Sequence, residues 1–189
     1  MIHFLKQFIK SPREIGALTR SSKGLAELIT NKAELEKAAA VVELGPGTGV
    51  VTRCIKEKLP DTCTFFALET NTSFVTVLKD KLPELTVYND SAANLTKYLD
   101  KVKLKNCDRI ISGLPWAAFN EDLQRQVLDA VSSCLGKGGY FLTYVYLQAR
   151  YLPAGVRFRR LLQEYFADIQ KTKVIWLNIM PAFVYVCRK

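Results

Sequence analysis

The stretch VVELGPGTGVV, residues 41–51, sets three glycines at alternate positions after an apolar run. Gly45, Gly47 and Gly49 leave room for backbone to touch a ligand. A helix opening after them would turn its free N–H groups toward a negative group. About twenty residues on, Glu69 closes a second apolar run, CTFFALE, where an acid can accept hydrogen bonds from two ribose hydroxyls. A second constellation is IISGLPWAAF, residues 110–119, in which Gly113 and Pro115 stop an apolar run before Trp116 and Phe119. Pro115 has no N–H and stiffens the loop. The carbonyls of Ser112 and Gly113 are then candidates to accept hydrogen bonds from an amine. Trp116 offers an aromatic face that attracts cations; the alternative is that Trp116 and Phe119 are core residues at a helix start.

The elements that would position these groups alternate. Strands are expected at 39–44, 63–69, 85–89, 107–113 and 138–147, and helices at 23–38, 49–58, 72–82, 119–135 and 157–166. The tail runs IQKTKVIWLN and AFVYVCRK read as a closing hairpin. Continuous apolar strands separated by helices imply a parallel α/β sheet, here Rossmann-like with seven strands, helices on both faces and an antiparallel terminal hairpin. No repeat, low-complexity segment or linker interrupts the chain, so residues 1–189 read as a single domain with 1–37 as an N-terminal helical cap. The two constellations then both fall at strand-to-helix turns, in the crevice where open α/β sheets bind ligands.

The loop spacing is GxGxG, not the GxGxxG of dinucleotide-binding turns. ELGPGTG resembles the first motif of class I S-adenosylmethionine-dependent methyltransferases. The resemblance implies that the loop from Glu43 to Gly49, including Pro46 and Thr48, wraps the methionine part of the cofactor. It implies that Glu69, followed by Thr70 and Asn71, holds the ribose and that Asp90 and Ser91 meet the adenine. Ser112 and Gly113 complete the implied set. From the residues alone, Asp90 in YNDS is equally a helix cap. SGLPW is similar to the fourth motif of adenine-amino methyltransferases, including ribosomal RNA adenine dimethylases, although Ser112-Gly113 stands where those carry Asn, and the helical domain that follows the sheet in those dimethylases is not expected within residues 1–189. A resemblance along the whole length is to bacterial phospholipid N-methyltransferases. It is carried by FLKQFIKSPREIGALTRSS, VVELGPGTG, SGLPW, LTY within GGYFLTYVY, and LNIMPAFVY. Arg20 and Met180 each stand where that family usually has proline. The implied reaction is attack of a neutral amine, such as that of phosphatidylethanolamine, on the sulfonium methyl. Leu114, Pro115 and Trp116 would line the acceptor position, and Tyr144 or a water would receive or orient the amine's proton. Methyl transfer to RNA adenine or to a small amine is the alternative.

Composition agrees with an anionic partner. Hydrophobic residues make up 49% and charged residues 24%, with a formal net charge of +9. No apolar run approaches the roughly 18–20 residues needed to span a bilayer, and Lys6 and Lys10 interrupt MIHFLKQFIK, which argues against a signal peptide. That segment instead spaces Ile2, Phe4, Leu5, Phe8 and Ile9 along one helical stripe. It would either lie on an anionic membrane or pack over the cofactor. Arg150, Arg157 and Arg160, with Arg159, form a basic cluster suited to a lipid phosphate or an RNA backbone. Cys54, Cys63, Cys107, Cys134 and Cys187 form no CxxC pair, and His3 is the one histidine. No metal site is expected, and the thiols read as reduced in a cytoplasmic protein that can sit peripherally on the inner face of the cell membrane.

Overall fold

Strand β1 (Ala40–Leu44) is buried at every position, so the sheet it belongs to must be covered on both faces. The computed structural model describes residues 23–176 and 180–189. The expected helix over 2–9, the rest of residues 1–22 and residues 177–179 within LNIMPAFVY lie outside the described residues.

Helix α1 (residues 23–32) and a 3-10 turn at Leu35–Lys37 lead into β1. The chain continues through α2 (Val50–Lys56), β2 (Thr64–Leu68), α3 (Thr72–Lys81), β3 (Thr86–Tyr88), α4 (Leu95–Lys101) and β4 (Cys107–Ser112). It ends with α5 (Glu121–Cys134), β5 (Leu135–Tyr146), α6 (Pro153–Tyr165), β6 (Asp168–Lys171) and β7 (Ala182–Arg188). The seven strands order as β3-β2-β1-β4-β5-β7-β6. β7 is antiparallel to both of its neighbours, β5 and β6. The remaining ladders are parallel. The closing hairpin of the sequence reading is therefore present, and its second strand inserts between β5 and β6.

Alternate residues of each strand serve opposite layers. Val42, Ile110 and Phe141 join α4, α5 and α6 in the larger core, through Leu99, Val131 and Phe158 among others. Val41, Ile111 and Leu142 meet α1 and α2 on the other face, through Ile29 and Ile55. One helix escaped the sequence reading. α4 is short, but Leu95, Tyr98 and Leu99 carry a one-face spacing and are all buried. Two helices also differ in extent. The first ends at 32, not 38, because Ala33 N–H bonds back to the Thr30 carbonyl in a turn. α6 begins earlier than expected, since Pro153 opens it at the position where its missing N–H costs nothing.

The entry to β1 is pinned by β4. Asp108 Oδ2 accepts from the backbone N–H groups of Ala39 (2.8 Å) and Ala40 (2.9 Å). Arg109 Nε donates to the Ala33 carbonyl, with its guanidinium over the Tyr140 ring at 4.6 Å. An Asp108→Ala variant leaves two β1 donors without their acceptor. It should lose about 2 kcal/mol of unfolding free energy, read as a lower urea midpoint with an unchanged slope.

Candidate active site

The strand order reverses between β1 and β4, so the carboxyl ends of these two neighbours open the crevice. Gly45 N–H donates to the Leu68 carbonyl (2.9 Å) and Gly113 N–H to the Leu44 carbonyl (2.8 Å), which brings both loops to one place. The approach admits no side chain at Gly113. A Cβ there would lie 2.7 Å from the Gly45 carbonyl oxygen. Gly45 and Gly49 are also in the left-handed region, at φ 71° and 85°, and a Cβ on either would meet a leucine methyl below 3.0 Å. Gly47 differs. Its φ is 57° and nothing lies within 4 Å of its Cβ position, so its backbone faces open space.

That space is a cavity of about 440 Å³ that takes in both constellations of the sequence. Its lining includes Gly45, Gly47, Glu69, Thr70 and Ser91 from the first constellation and the loop after β3, and Gly113, Leu114, Pro115 and Trp116 from the second, with Tyr144 of β5. The Glu69 carboxylate is held by two backbone donors, Gly47 N–H to Oε2 (3.1 Å) and Asn71 N–H to Oε1 (2.9 Å). Each oxygen keeps acceptor capacity for a ligand hydroxyl. The Asn71 side chain caps α3 through Ser73 N–H (2.9 Å). Pro46 is buried, with its carbonyl closing the turn onto Gly49 N–H (3.0 Å), while Thr48 points out to solvent.

The open alternatives for Asp90 and Trp116 acquire geometry here. The Asp90 carboxylate accepts from Tyr98 Oη (2.7 Å), Asn94 Nδ2 (2.8 Å) and Ser91 N–H (2.7 Å). Hydrogen bonds from Tyr98, Asn94 and Ser91 hold it well below the usual carboxylate range. Asp90 thus braces the turn after β3, and Ser91 is the member of the pair that lines the cavity. Trp116 is 2% exposed and stacks on Phe158 with centroids 4.2 Å apart. It is a wall built into the core, not an open lip. Its indole N–H donates to Thr143 Oγ1 (2.9 Å), whose hydroxyl donates to the Ser112 carbonyl (3.2 Å). That carbonyl is therefore engaged, and of the two expected amine acceptors the Gly113 carbonyl is the one left.

The arginines are arranged differently from the phosphate-binding cluster expected of them. Arg157 donates through Nε to Gln124 Oε1 (3.0 Å) and through Nη2 to the Phe119 carbonyl (3.1 Å). Gln124, fully buried, passes the chain on to the Trp116 carbonyl (2.7 Å). Arg157 braces the loop after β4 from α6. Arg160 lies 3.8 Å from Glu164, and Arg150 sits over the Tyr151 ring at 4.9 Å. No lysine or arginine lines the cavity among the described residues. Sequence reasoning missed Gln124, Thr143 and Phe74; the first two carry no local motif, because their partners are far away in sequence.

Burial perturbs further ionisable groups at the site, Glu43 and Tyr144 among them. Burial pushes the Glu43 carboxyl up to about 8; the nearby Thr52 hydroxyl opposes this and the Glu69 charge adds to it. Glu43 Oε2 and Thr52 Oγ1 are both buried without a partner. Burial foremost, then Tyr146 and the two acids, raises the Tyr144 phenol far above its ordinary value. At neutral pH Tyr144 is a neutral hydroxyl. It can hold an amine by a hydrogen bond but does not act as a phenolate base.

The ribosomal RNA adenine dimethylase family model matches residues 20–147. The chain belongs to this family. The chain is 29% identical to the ornithine lipid N-methyltransferase of Singulisphaera acidiphila, over 98% of this chain and 94% of that protein. It is 28% identical to ribosomal RNA small subunit methyltransferase A of Streptococcus sanguinis, over 58% of this chain and 44% of that protein. Among solved structures, the fold is similar to the O-methyltransferase TomG of Streptomyces achromogenes in complex with S-adenosylmethionine, with a TM-score of 0.69, 17% identity, and coverage of 88% of this chain and 80% of that one. It also matches the fibrillarin of Aeropyrum pernix, with a TM-score of 0.65, 13% identity and coverage of 87% and 74%. The chain is an S-adenosylmethionine-dependent methyltransferase with the Rossmann-like fold that its sequence implied.

The residues present fit that cofactor. The Gly47 backbone faces empty space, and the Glu69 carboxylate, fixed by two N–H groups, borders the same cavity. Gly47→Val fills the open cradle and strains a left-handed position, and Glu69→Ala removes the fixed acceptor. Each should abolish detectable cofactor binding; calorimetry giving wild-type affinity for both would remove the site assignment. Glu43 supplies a test by pH. Its pKa is raised from 4.5 to about 8 in the folded chain. Between those values the unfolded chain releases a proton that the folded chain keeps, so folded stability falls as pH rises and levels off above about 8. A Glu43→Gln variant should therefore gain Tm over the wild type progressively from pH 5 to pH 8 in thermal scans.

Proposed function

We propose that the acceptor is the primary amine of an amino lipid, methylated on nitrogen, and that a headgroup without a phosphate, as in an ornithine lipid, suits the cavity better than phosphatidylethanolamine. The observation that carries this reading is the apolar acceptor wall. Leu114, Pro115, Trp116 and Phe119 line the cavity together with Tyr144 and Tyr146, with no cationic side chain among the described lining residues. A phosphodiester calls for paired arginines or lysines, and Arg157 and Arg160 are engaged elsewhere. The near full-length match to an ornithine lipid N-methyltransferase supports the same reading. RNA adenine is the second reading, favoured by the family match and by the ribosomal RNA relative.

S-adenosylmethionine, when bound by Glu43–Gly49, Glu69, Thr70 and Ser91, supplies an electrophilic methyl group. The chain's part is to bring a neutral amine into line with it. A primary amine ordinarily holds its proton to a pKa near 10. Apolar walls disfavour the ammonium form and lower that value. Tyr144 Oη and the Gly113 carbonyl then orient the nitrogen, and the proton leaves to water at the mouth. The Arg157–Gln124–Trp116 chain keeps the loop after β4 from drifting away from that line.

The test is transfer of a radiolabelled methyl group to ornithine lipid, phosphatidylethanolamine or total RNA, each offered separately. Label is expected in ornithine lipid foremost. Label in RNA alone would replace this reading with the second.

A further inference from the structure

Three large apolar side chains stand exposed among the described residues: Tyr151 at 70%, Trp176 at 68% and Val156 at 57%. They come from three different elements, yet all three fall at the cavity end of the sheet. β5 delivers its carboxyl end there, and Tyr146 and Ala149 line the cavity just before Tyr151. Val156 is in the first turn of α6, which packs tightly on the 3-10 turn Leu147–Tyr151: a Cβ on Gly155 would strike the Ala149 carbonyl oxygen. Trp176 follows Ile175, which bridges Ala182, the β7 partner of Tyr146. Leu147 N–H also bonds the Pro181 carbonyl (2.7 Å), tying the two loops together.

The charges around this rim have one sign. β6 runs antiparallel to β7, so Lys171 ends at the cavity side and Lys173 follows it, both exposed. Arg150 adjoins Tyr151, and Arg159 is exposed on α6. The sequence holds no Asp or Glu from Leu135 to Arg160, nor from Ile169 to Lys189. Exposed aromatic and aliphatic tips set among uncompensated cations fit the interfacial zone of an anionic bilayer, where amphipathic rings lie at headgroup depth and cations meet lipid phosphates.

We infer that the rim built by Tyr151, Val156 and Trp176, with Lys171 and Lys173 beside it, docks on an anionic lipid surface and presents the cavity mouth to the headgroups. This inference rests on the lipid reading of the acceptor.

Trp176 supplies a direct readout, because the other tryptophan, Trp116, is buried. With vesicles of phosphatidylcholine containing phosphatidylglycerol, wild-type fluorescence should shift blue and be quenched by brominated lipid, and a Trp176→Phe variant should lose both signals. The triple variant Tyr151→Ser, Val156→Ser, Trp176→Ser should pellet with these vesicles about tenfold less well. Lys171→Glu with Lys173→Glu should weaken binding at low salt, with the difference closing at high salt. Both variants should keep wild-type cofactor affinity by calorimetry and wild-type methyl transfer to acceptor lipid in detergent micelles. Unchanged vesicle binding in both variants overturns the inference, as does loss of RNA retention with vesicle binding intact. Wild-type vesicle binding and quenching, with no label entering any lipid in micelles, would remove the acceptor reading and leave the docking surface supported.

Discussion

The close approach of two backbones at the carboxyl ends of β1 and β4 is the constraint on which the site depends. Gly113 lies against the Gly45 carbonyl with no room for a methyl group. Only because the strand order reverses there do the glycine loop and the loop SGLPW border one cavity. Glu69 then reaches Gly47 from the neighbouring strand, and its carboxylate is oriented by backbone donors before any ligand arrives. Such preorganisation spares the ordering cost that a free side chain would pay on binding.

A second network keeps the far wall in place. Trp116 is locked by stacking on Phe158, by its bond to Thr143 and by Gln124 on its carbonyl. Arg157 completes the chain from α6 to the loop. Buried polar groups of this kind carry a high desolvation cost when unpaired, so the network resists partial opening. The acceptor wall is thus rigid on the β4 and α6 sides. Among the described residues Glu43 and Thr52 are the exceptions to this satisfaction: each keeps a buried oxygen without a partner, and the Glu43 carboxyl is raised by burial and by the charge of Glu69.

Family membership and acceptor chemistry separate in this protein. Fold and cofactor site follow from the elements β1 to β5 with their loops, which the family match covers. In the reading proposed above, the acceptor is selected beyond that match as well, by α6 and the rim around the cavity mouth. There the chain is apolar inside and basic outside, a distribution that suits an amine drawn from an anionic interface.

The sequence by itself determined the α/β class, an adenosine-containing cofactor and most of the elements, and the resemblance of ELGPGTG to class I methyltransferases named that cofactor. Those signals are local: alternating apolar runs, glycines at fixed spacing, and an acid at a strand end, each readable within one window. The short helix α4 was passed over because seven residues carry little periodicity. Only the tertiary structure decided what Trp116, Asp90 and the arginines do. A side chain's role depends on partners distant in the chain, such as Thr143 for Trp116 and Gln124 for Arg157. Sequence pattern marks such residues as polar, basic or aromatic. Whether a basic residue binds a ligand, braces a loop or meets a membrane is settled by which neighbours the fold brings within hydrogen-bonding distance, and by which side chains it leaves in water.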